Sequence, residues 1–212
     1  PLMGRMRPPL GRRRGWMLAT QISLVLSIGA LGYLDPLKQT ALVAVLASVI
    51  AFLSASQDVA IDAYRREILL DAELGLGNAI HVQAYRIASL VPGSLSLILA
   101  DMLPWTVVFW VTAAFMAVGI ALSVSIREPQ DLSPPAQGFR EMLLTPFIEY
   151  FHRVGWRGGA LALLFMVAYK LGDNMATALA TPFYLDMGFS MTEIGLVAKH
   201  AALWPAIVGG LL

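Results

Sequence analysis

Six stretches of this sequence run for about twenty residues or more with very little charge, at roughly 16–34, 40–64, 78–103, 105–126, 159–185 and from 192 to the last residue. An α-helix rises ~1.5 Å per residue, so ~20 apolar residues match the ~30 Å hydrocarbon layer of a bilayer. Lipid offers no water to bond stray amides, so each run must fold as a helix that satisfies its own backbone. The sequence therefore predicts an all-α, polytopic membrane protein with about six transmembrane helices. Hydrophobic residues make up 58% of the chain and charged residues 14%, against the ~45–50% apolar usage of soluble domains.

The charges sit between the runs, and they alternate. Arg5, Arg7, Arg12, Arg13 and Arg14 precede the first run; Arg65 and Arg66 follow the second; Arg127, Arg140, Arg153 and Arg157 follow the fourth. The opposite turns carry Asp35 and Lys38, then Asp101, then Asp186. Basic residues on every second loop are what successive spans produce when those loops stay cytoplasmic. The near-neutral formal charge of +1 hides this asymmetry. With no cysteine there is no disulfide framework and no thiolate metal site or nucleophile. No cofactor or metal is expected, and the lipid bilayer is the first partner.

The longest connection, 127–158, divides the chain into an N-terminal half (1–126), an inter-domain loop (127–158) and the start of a C-terminal half (159–212). The Pro-rich opening REPQDLSPPAQG reads as a linker. FREMLLTPFIEYFHR then mixes Phe139, Leu143, Phe147, Ile148 and Phe151 with charges, the pattern of an amphipathic helix on the cytoplasmic face, broken at Pro146. Four spans, a long loop and two more suit the middle of a two-halved transporter lacking two spans in front and four behind. Pro1, inside a basic stretch with no cleavable signal peptide, fits a piece of a larger protein. Such a piece is not expected to work as a closed carrier by itself.

The second run turns polar before it ends, in FLSASQDVAIDAYRRE. Gln57, Asp58 and Asp62 belong to a segment that otherwise reads as spanning, and carboxylates there are tolerated where they face other helices or a watery cavity. Asp58 and Asp62 are four apart and share a helix face. Adjacent carboxylates oppose double ionisation, so one can carry a proton. Asp62, beside Arg65 and Arg66, reads as an interfacial gate residue, and Asp58, a turn deeper, as the proton-coupling or substrate candidate.

Three separated motifs, LGRRRGWMLATQ, SASQDVAIDAYRREIL and YKLGDNMATALATPFYLDMGF, closely resemble the AmpG muropeptide permeases of the major facilitator superfamily. The resemblance covers essentially the whole chain, from the second cytoplasmic loop of that family to its eighth span. Acetyl-coenzyme A transporters share a similar Gln-Asp stretch more distantly. The resemblance implies proton-driven import of N-acetylglucosaminyl-anhydromuramyl peptides across the bacterial inner membrane, feeding cell-wall recycling and β-lactamase induction, by a protein that is monomeric at full length. It places Arg12, Arg13, Asp62 and Arg65 at a cytoplasmic gate. The family carries Asp where this chain has Gly4, which puts that gate's salt bridge in doubt.

A sugar–peptide needs hydrogen-bonding side chains, a few cations and aromatic faces. The third span offers His81, Gln83, Tyr85 and Arg86. Arg86 lies near mid-membrane, where it serves as a ligand contact or as an ion pair with Asp58 or Asp62. The fifth offers Tyr169, Lys170, Asp173, Asn174 and Thr177 on one stripe; Lys170 and Asp173 either neutralise each other or form a proton-coupled switch. In the sixth, Lys199 reaches an anionic group or snorkels, and Glu193 reads as a helix N-terminal charge. Trp16, Trp105 and Trp156 mark span ends, Trp204-Pro205 a bend or a sugar-stacking wall, and Pro92-Gly93 and Gly209-Gly210 close packing.

Enzyme motifs are missing: no His-Glu-x-x-His, no Gly-x-Ser-x-Gly and no phosphate-cradling Gly-rich loop. The basic opening lacks interleaved aromatics and borders a span, so no nucleic-acid partner is expected. Two alternatives stay open: transport of another organic anion, and a non-transporting sensor or scaffold. A scaffold predicts that the charges on the second, third and fifth spans pair off completely.

Overall fold

The computed structural model describes residues 11–129 and 139–209. Every regular element among the described residues is helical. Four helical stretches are long and apolar enough to cross a membrane: Arg12–Leu31, Thr40–Ile68, Asp71–Ala100 and Trp105–Ser125. A fifth is reached if Phe147–Val154 and Trp156–Asp186, bent by 115°, are taken together. The sixth apolar run is helical from Met191 to Gly209, and its last three residues lie outside the described ones.

The elements are α1 (Arg12–Leu31), α2 (Thr40–Ile68), a 3-10 turn (Asp71–Glu73), α3 (Leu74–Ala88), a π-turn (Val91–Leu95), α4 (Ser96–Ala100), α5 (Trp105–Ala114), α6 (Met116–Ser125), α7 (Phe139–Val154), α8 (Trp156–Asp186), α9 (Met191–Glu193), a second π-turn (Ile194–Ala198) and α10 (Lys199–Gly209). They fall into two compact units. One holds residues 11–129 with 190–209, the other residues 139–189.

In the larger unit α1 is the central helix, packed on α2, α5 and α6. It contributes Met17, Leu18 and Leu24 to the core, against Ala60 of α2 and Val108 and Ala113 of α5. Glycines set the closeness of α1 and α5. A Cβ on Gly29 would meet the Trp110 ring at 2.6 Å, and one on Gly32 the Thr106 backbone at 2.9 Å. Thr106 then donates to the Gly32 carbonyl at 2.6 Å and Trp110 Nε1 to the Tyr33 hydroxyl at 3.1 Å. Small residues at such a crossing bring backbones into van der Waals range, the main attraction between helices in lipid. The Thr40–Ile68 span buries none of its most apolar window within the chain. An apolar helix left that bare is suited to lipid or to further helices.

In the smaller unit α7 continues through position 146, so the expected break at Pro146 does not occur. A proline deletes a single N–H donor, which a helix can survive. The break falls instead at Gly155, whose φ of +80° lies outside the helical region. Its bend separates α7 from α8.

Candidate functional site

At the basic end of the larger unit, the chain enters α1 through Gly11, at φ +106°. The Glu128 carboxylate, just beyond α6, sits over this helix start. It accepts from the Arg13 amide at 2.7 Å and the Arg14 amide at 3.0 Å. The first amides of a helix lack internal partners and carry the positive end of its dipole, so an anion there is doubly favoured. A Cβ on Gly11 would lie 2.6 Å from that carboxyl group, so glycine is required by conformation and by space. Arg14 returns the contact by donating to the Ser123 carbonyl at 3.1 Å and to that of Val124.

Arg12 and Arg13 both reach Glu67 at the end of α2; Arg12 Nη2 stands 3.1 Å away and Arg13 holds both carboxylate oxygens. Asp62 pairs with Arg65 of its own helix at 3.0 Å. Tyr64 donates to the Arg127 carbonyl at 3.0 Å. The cluster thus ties the starts and ends of α1, α2 and α6 together through Glu67 and Glu128, which sequence reasoning missed. Their signal was an acidic residue inside an otherwise basic loop, in YRRE and IREP. Gly4 lies outside the described residues.

One turn or more deeper in α2, Asp58 is exposed and holds no hydrogen bond or ion pair among the described residues. Beside it, the buried Gln57 carboxamide oxygen has no partner among the described residues.

The third and sixth spans form a seam. After its first turns, the less exposed positions of α3 are Gln83 and Arg86, followed at one-turn spacings by Leu90 and Gly93. This stripe belongs to the span that packs on α10 and on the second π-turn. Gly93 lies against the aliphatic stem of Lys199, whose Cδ would be 3.6 Å from a Cβ there. Arg86 and Gly93 are seven residues apart, two helical turns, so Arg86 and Lys199 attach to one seam. Among the described residues, the buried Gln83 carboxamide oxygen has no hydrogen-bond partner. Two cations and an unsatisfied amide on one seam can receive an anionic, hydrogen-bonding solute. Tyr85 (71% exposed) and His81 lie off the stripe.

Toward its acidic end the same helix pair closes tightly. Pro92 sits in the Val91–Leu95 π-turn, a widened turn that accommodates its missing amide donor. The buried Ser94 hydroxyl donates to the Gly195 carbonyl at 2.8 Å, and a Cβ on Gly195 would meet the Ser94 carbonyl oxygen at 2.9 Å. Further out, Asp101 Oδ2 accepts from the Thr192 amide at 2.7 Å and its hydroxyl at 2.6 Å. Glu193 is the helix N-terminal charge its position suggested: it accepts from the Ser190 amide at 2.9 Å while Ser190 Oγ accepts from the Glu193 amide at 3.2 Å. Nothing in a single sequence pairs Ser94 with Gly195 or Asp101 with Thr192.

In the smaller unit, α8 carries the remaining candidates. Lys170 Nζ lies 3.2 Å from Asp173, and both side chains are more than half exposed. Thr177 donates to the Asp173 backbone carbonyl at 2.9 Å. Tyr169 stacks on Phe165 at 6.2 Å, and Asn174 is exposed. Among the described residues, no group of His, Asp and Glu could hold a metal ion.

The Major Facilitator Superfamily profile matches residues 1–212. Among curated proteins, an uncharacterized protein of Haemophilus influenzae is 48% identical over 214 residues, covering all of this chain and 50% of its own length. The anhydromuropeptide permease of Escherichia coli K12 is 43% identical over 214 residues, covering all of this chain and 43% of its own length. A putative AmpG 4 transporter of Rickettsia felis is 27% identical over 221 residues, across 99% of this chain and 53% of its own length. The chain spans about half the length of the curated relatives it matches. With a profile match along the whole chain and several membrane-crossing helices, the chain belongs to the Major Facilitator Superfamily, as a multi-pass protein of the bacterial inner membrane.

Proposed function

We propose that this chain is part of a secondary transporter that imports anhydromuropeptides by alternating access, coupled to protons. The substrate class rests on the 43% identity to the E. coli permease along the full chain. The observation that carries a solute path is the seam of the third and sixth spans, to which Arg86, Lys199 and the Gln83 oxygen, unpartnered among the described residues, all belong. A stem-peptide carboxylate suits the two cations, and a sugar hydroxyl suits the Gln83 oxygen. Gln57, Tyr85, Tyr169, Lys170 and Asn174 complete the proposed substrate contacts. Asp58, exposed and without a partner among the described residues, argues against a sensor or scaffold, which would pair every charge in its spans.

Asp58 and Asp173 are the proton-coupling candidates. Protonating Asp173 would release Lys170 for the substrate's carboxylate; protonating Asp58 would remove a charge from the transport path. The Arg12, Arg13, Glu67 and Glu128 cluster, with Asp62 and Arg65, serves as the cytoplasmic gate. The Asp101–Thr192 and Ser94–Gly195 contacts close the opposite face. In this reading 1–126 belongs to one half of the carrier, 127–158 connects the halves and 159–212 begins the second.

Uptake of labelled anhydromuropeptide by a permease-deficient bacterium carrying the full-length gene tests the proposal. Uptake should be abolished by a proton uncoupler, and by Arg86→Ala. Asp58→Asn and Asp173→Asn should each lower it tenfold or more if that carboxylate carries the proton, an effect of about 1.4 kcal/mol or greater. A well-expressed, membrane-inserted protein giving no uptake would refute the substrate assignment.

A further inference from the structure

The seam between the third and sixth spans carries charge of one sign. Its charged side chains are Arg86 of α3 and Lys199 of α10. The elements chiefly packed on α10 are α3 and the two π-turns, and none of them contains an Asp or a Glu. Lys199 holds no hydrogen bond or ion pair among the described residues. An ammonium inside an apolar run without a counter-charge is costly, and such a group marks a place where an anion passes or binds.

The lysine stem lies across the seam. A Cβ on Gly93 would find Lys199 Cδ at 3.6 Å, Cε at 3.8 Å and Cγ at 4.0 Å, and these are its three nearest neighbours. Three successive methylenes therefore run past the bare backbone of the facing span. A snorkelling lysine would instead carry its stem along the helix to the headgroup level. Asp101 of the third span meets Thr192 of the sixth at the acidic end. Gly93 and Lys199 both lie roughly 10–12 Å inside that contact, well within the ~30 Å hydrocarbon layer. A longer or branched side chain at 93 would occupy the space the stem now fills.

We infer that Gly93 is the positioning residue for Lys199, and that the pair makes this seam selective for a carboxylate-bearing solute. The bare backbone at 93 holds the ammonium inside the seam instead of at the membrane surface. In the proposed division the third span belongs to the first half and the sixth to the second. The lysine therefore keeps its seat only while the two halves are packed there, and loses it when the seam parts. The inference rests on the proposed import of an anionic sugar–peptide and adds the residue that sets its charge preference.

Uptake by the permease-deficient bacterium carrying the full-length gene tests this with two solutes, an anhydromuropeptide with its peptide carboxylates and the same molecule with them amidated. The native protein should take the acid with a KM about tenfold below that of the amide, the worth of one charge-assisted hydrogen bond. Gly93→Leu, which pushes the stem aside, and Lys199→Ala should each remove that preference by raising the KM of the acid. The maximal rate and the KM of the amide should change little. Gly93→Ala, the conservative variant, puts its methyl at ordinary contact distance from the stem and should keep the preference. In the Lys199→Ala background Gly93→Leu should add nothing, because no stem is left to displace. A Gly93→Leu effect that is equal for the two solutes, or that persists without the lysine, overturns the inference and makes Gly93 a packing residue only. Uptake without an acid preference overturns the inference alone, whereas no uptake of either solute by the native protein defeats the proposed substrate as well.

Discussion

Gly11 and Glu128 show how much a single residue decides here. Gly11 holds a backbone conformation that is nearly glycine-only, and the Glu128 carboxylate occupies the space a side chain would need. Gly11→Ala should destabilise the protein by about 1–3 kcal/mol. Glu128→Ala alone should cost about 0.5–2 kcal/mol, the worth of a helix cap. Combined, the two should cost less than their sum, because removing the carboxylate relieves the clash but not the backbone strain. Thermal unfolding in detergent measures all three; strict additivity would mean that the carboxylate does not sit over the helix start. Asp58, Lys170, Asp173 and Lys199 were legible from sequence because a charge in an apolar run stands out. Glu67 and Glu128 were not, because their meaning comes from the α1 start folded against them.

At the scale of elements, the seam between the third and sixth spans rests on small groups. Ser94 is 4% exposed, and the chain has no cysteine of its own. Ser94→Cys should therefore resist a membrane-impermeant maleimide. Adding Gly195→Val, which forces a branched side chain toward the Ser94 carbonyl, should open the seam and make that cysteine react. Overpacking of this kind costs about 1–3 kcal/mol. Unchanged protection in the double variant would contradict the close approach. Pro92-Gly93 announced close packing in the sequence, whereas Gly195 is one unremarkable glycine of a long apolar run. Conversely, Pro146 promised a break that the structure places at Gly155, since one missing donor bends a helix less surely than a residue at positive φ ends it.

At the scale of the whole molecule, exposed apolar surface dominates. Phe52, Leu161, Leu164, Phe165 and Val167 are all more than 60% exposed, on helices that carry long apolar runs. Surface of this kind demands lipid, detergent or further helices around it. Alkaline carbonate should leave the protein in the membrane fraction and detergent should release it; recovery in the carbonate supernatant would contradict membrane insertion. The all-helical, multi-pass character of the chain and the charges inside its apolar runs were legible in the sequence alone, because lipid imposes length, hydropathy and charge position on local stretches of chain. Of the six runs read as spans, four are helices long and apolar enough to cross by themselves, and a fifth is reached with the bent pair. Which carboxylate meets which arginine, where α3 meets α10 and which way α7 turns at Gly155 were decided only by tertiary structure. Those features depend on which helix lies beside which, and a periodic apolar stripe looks the same whatever it packs against.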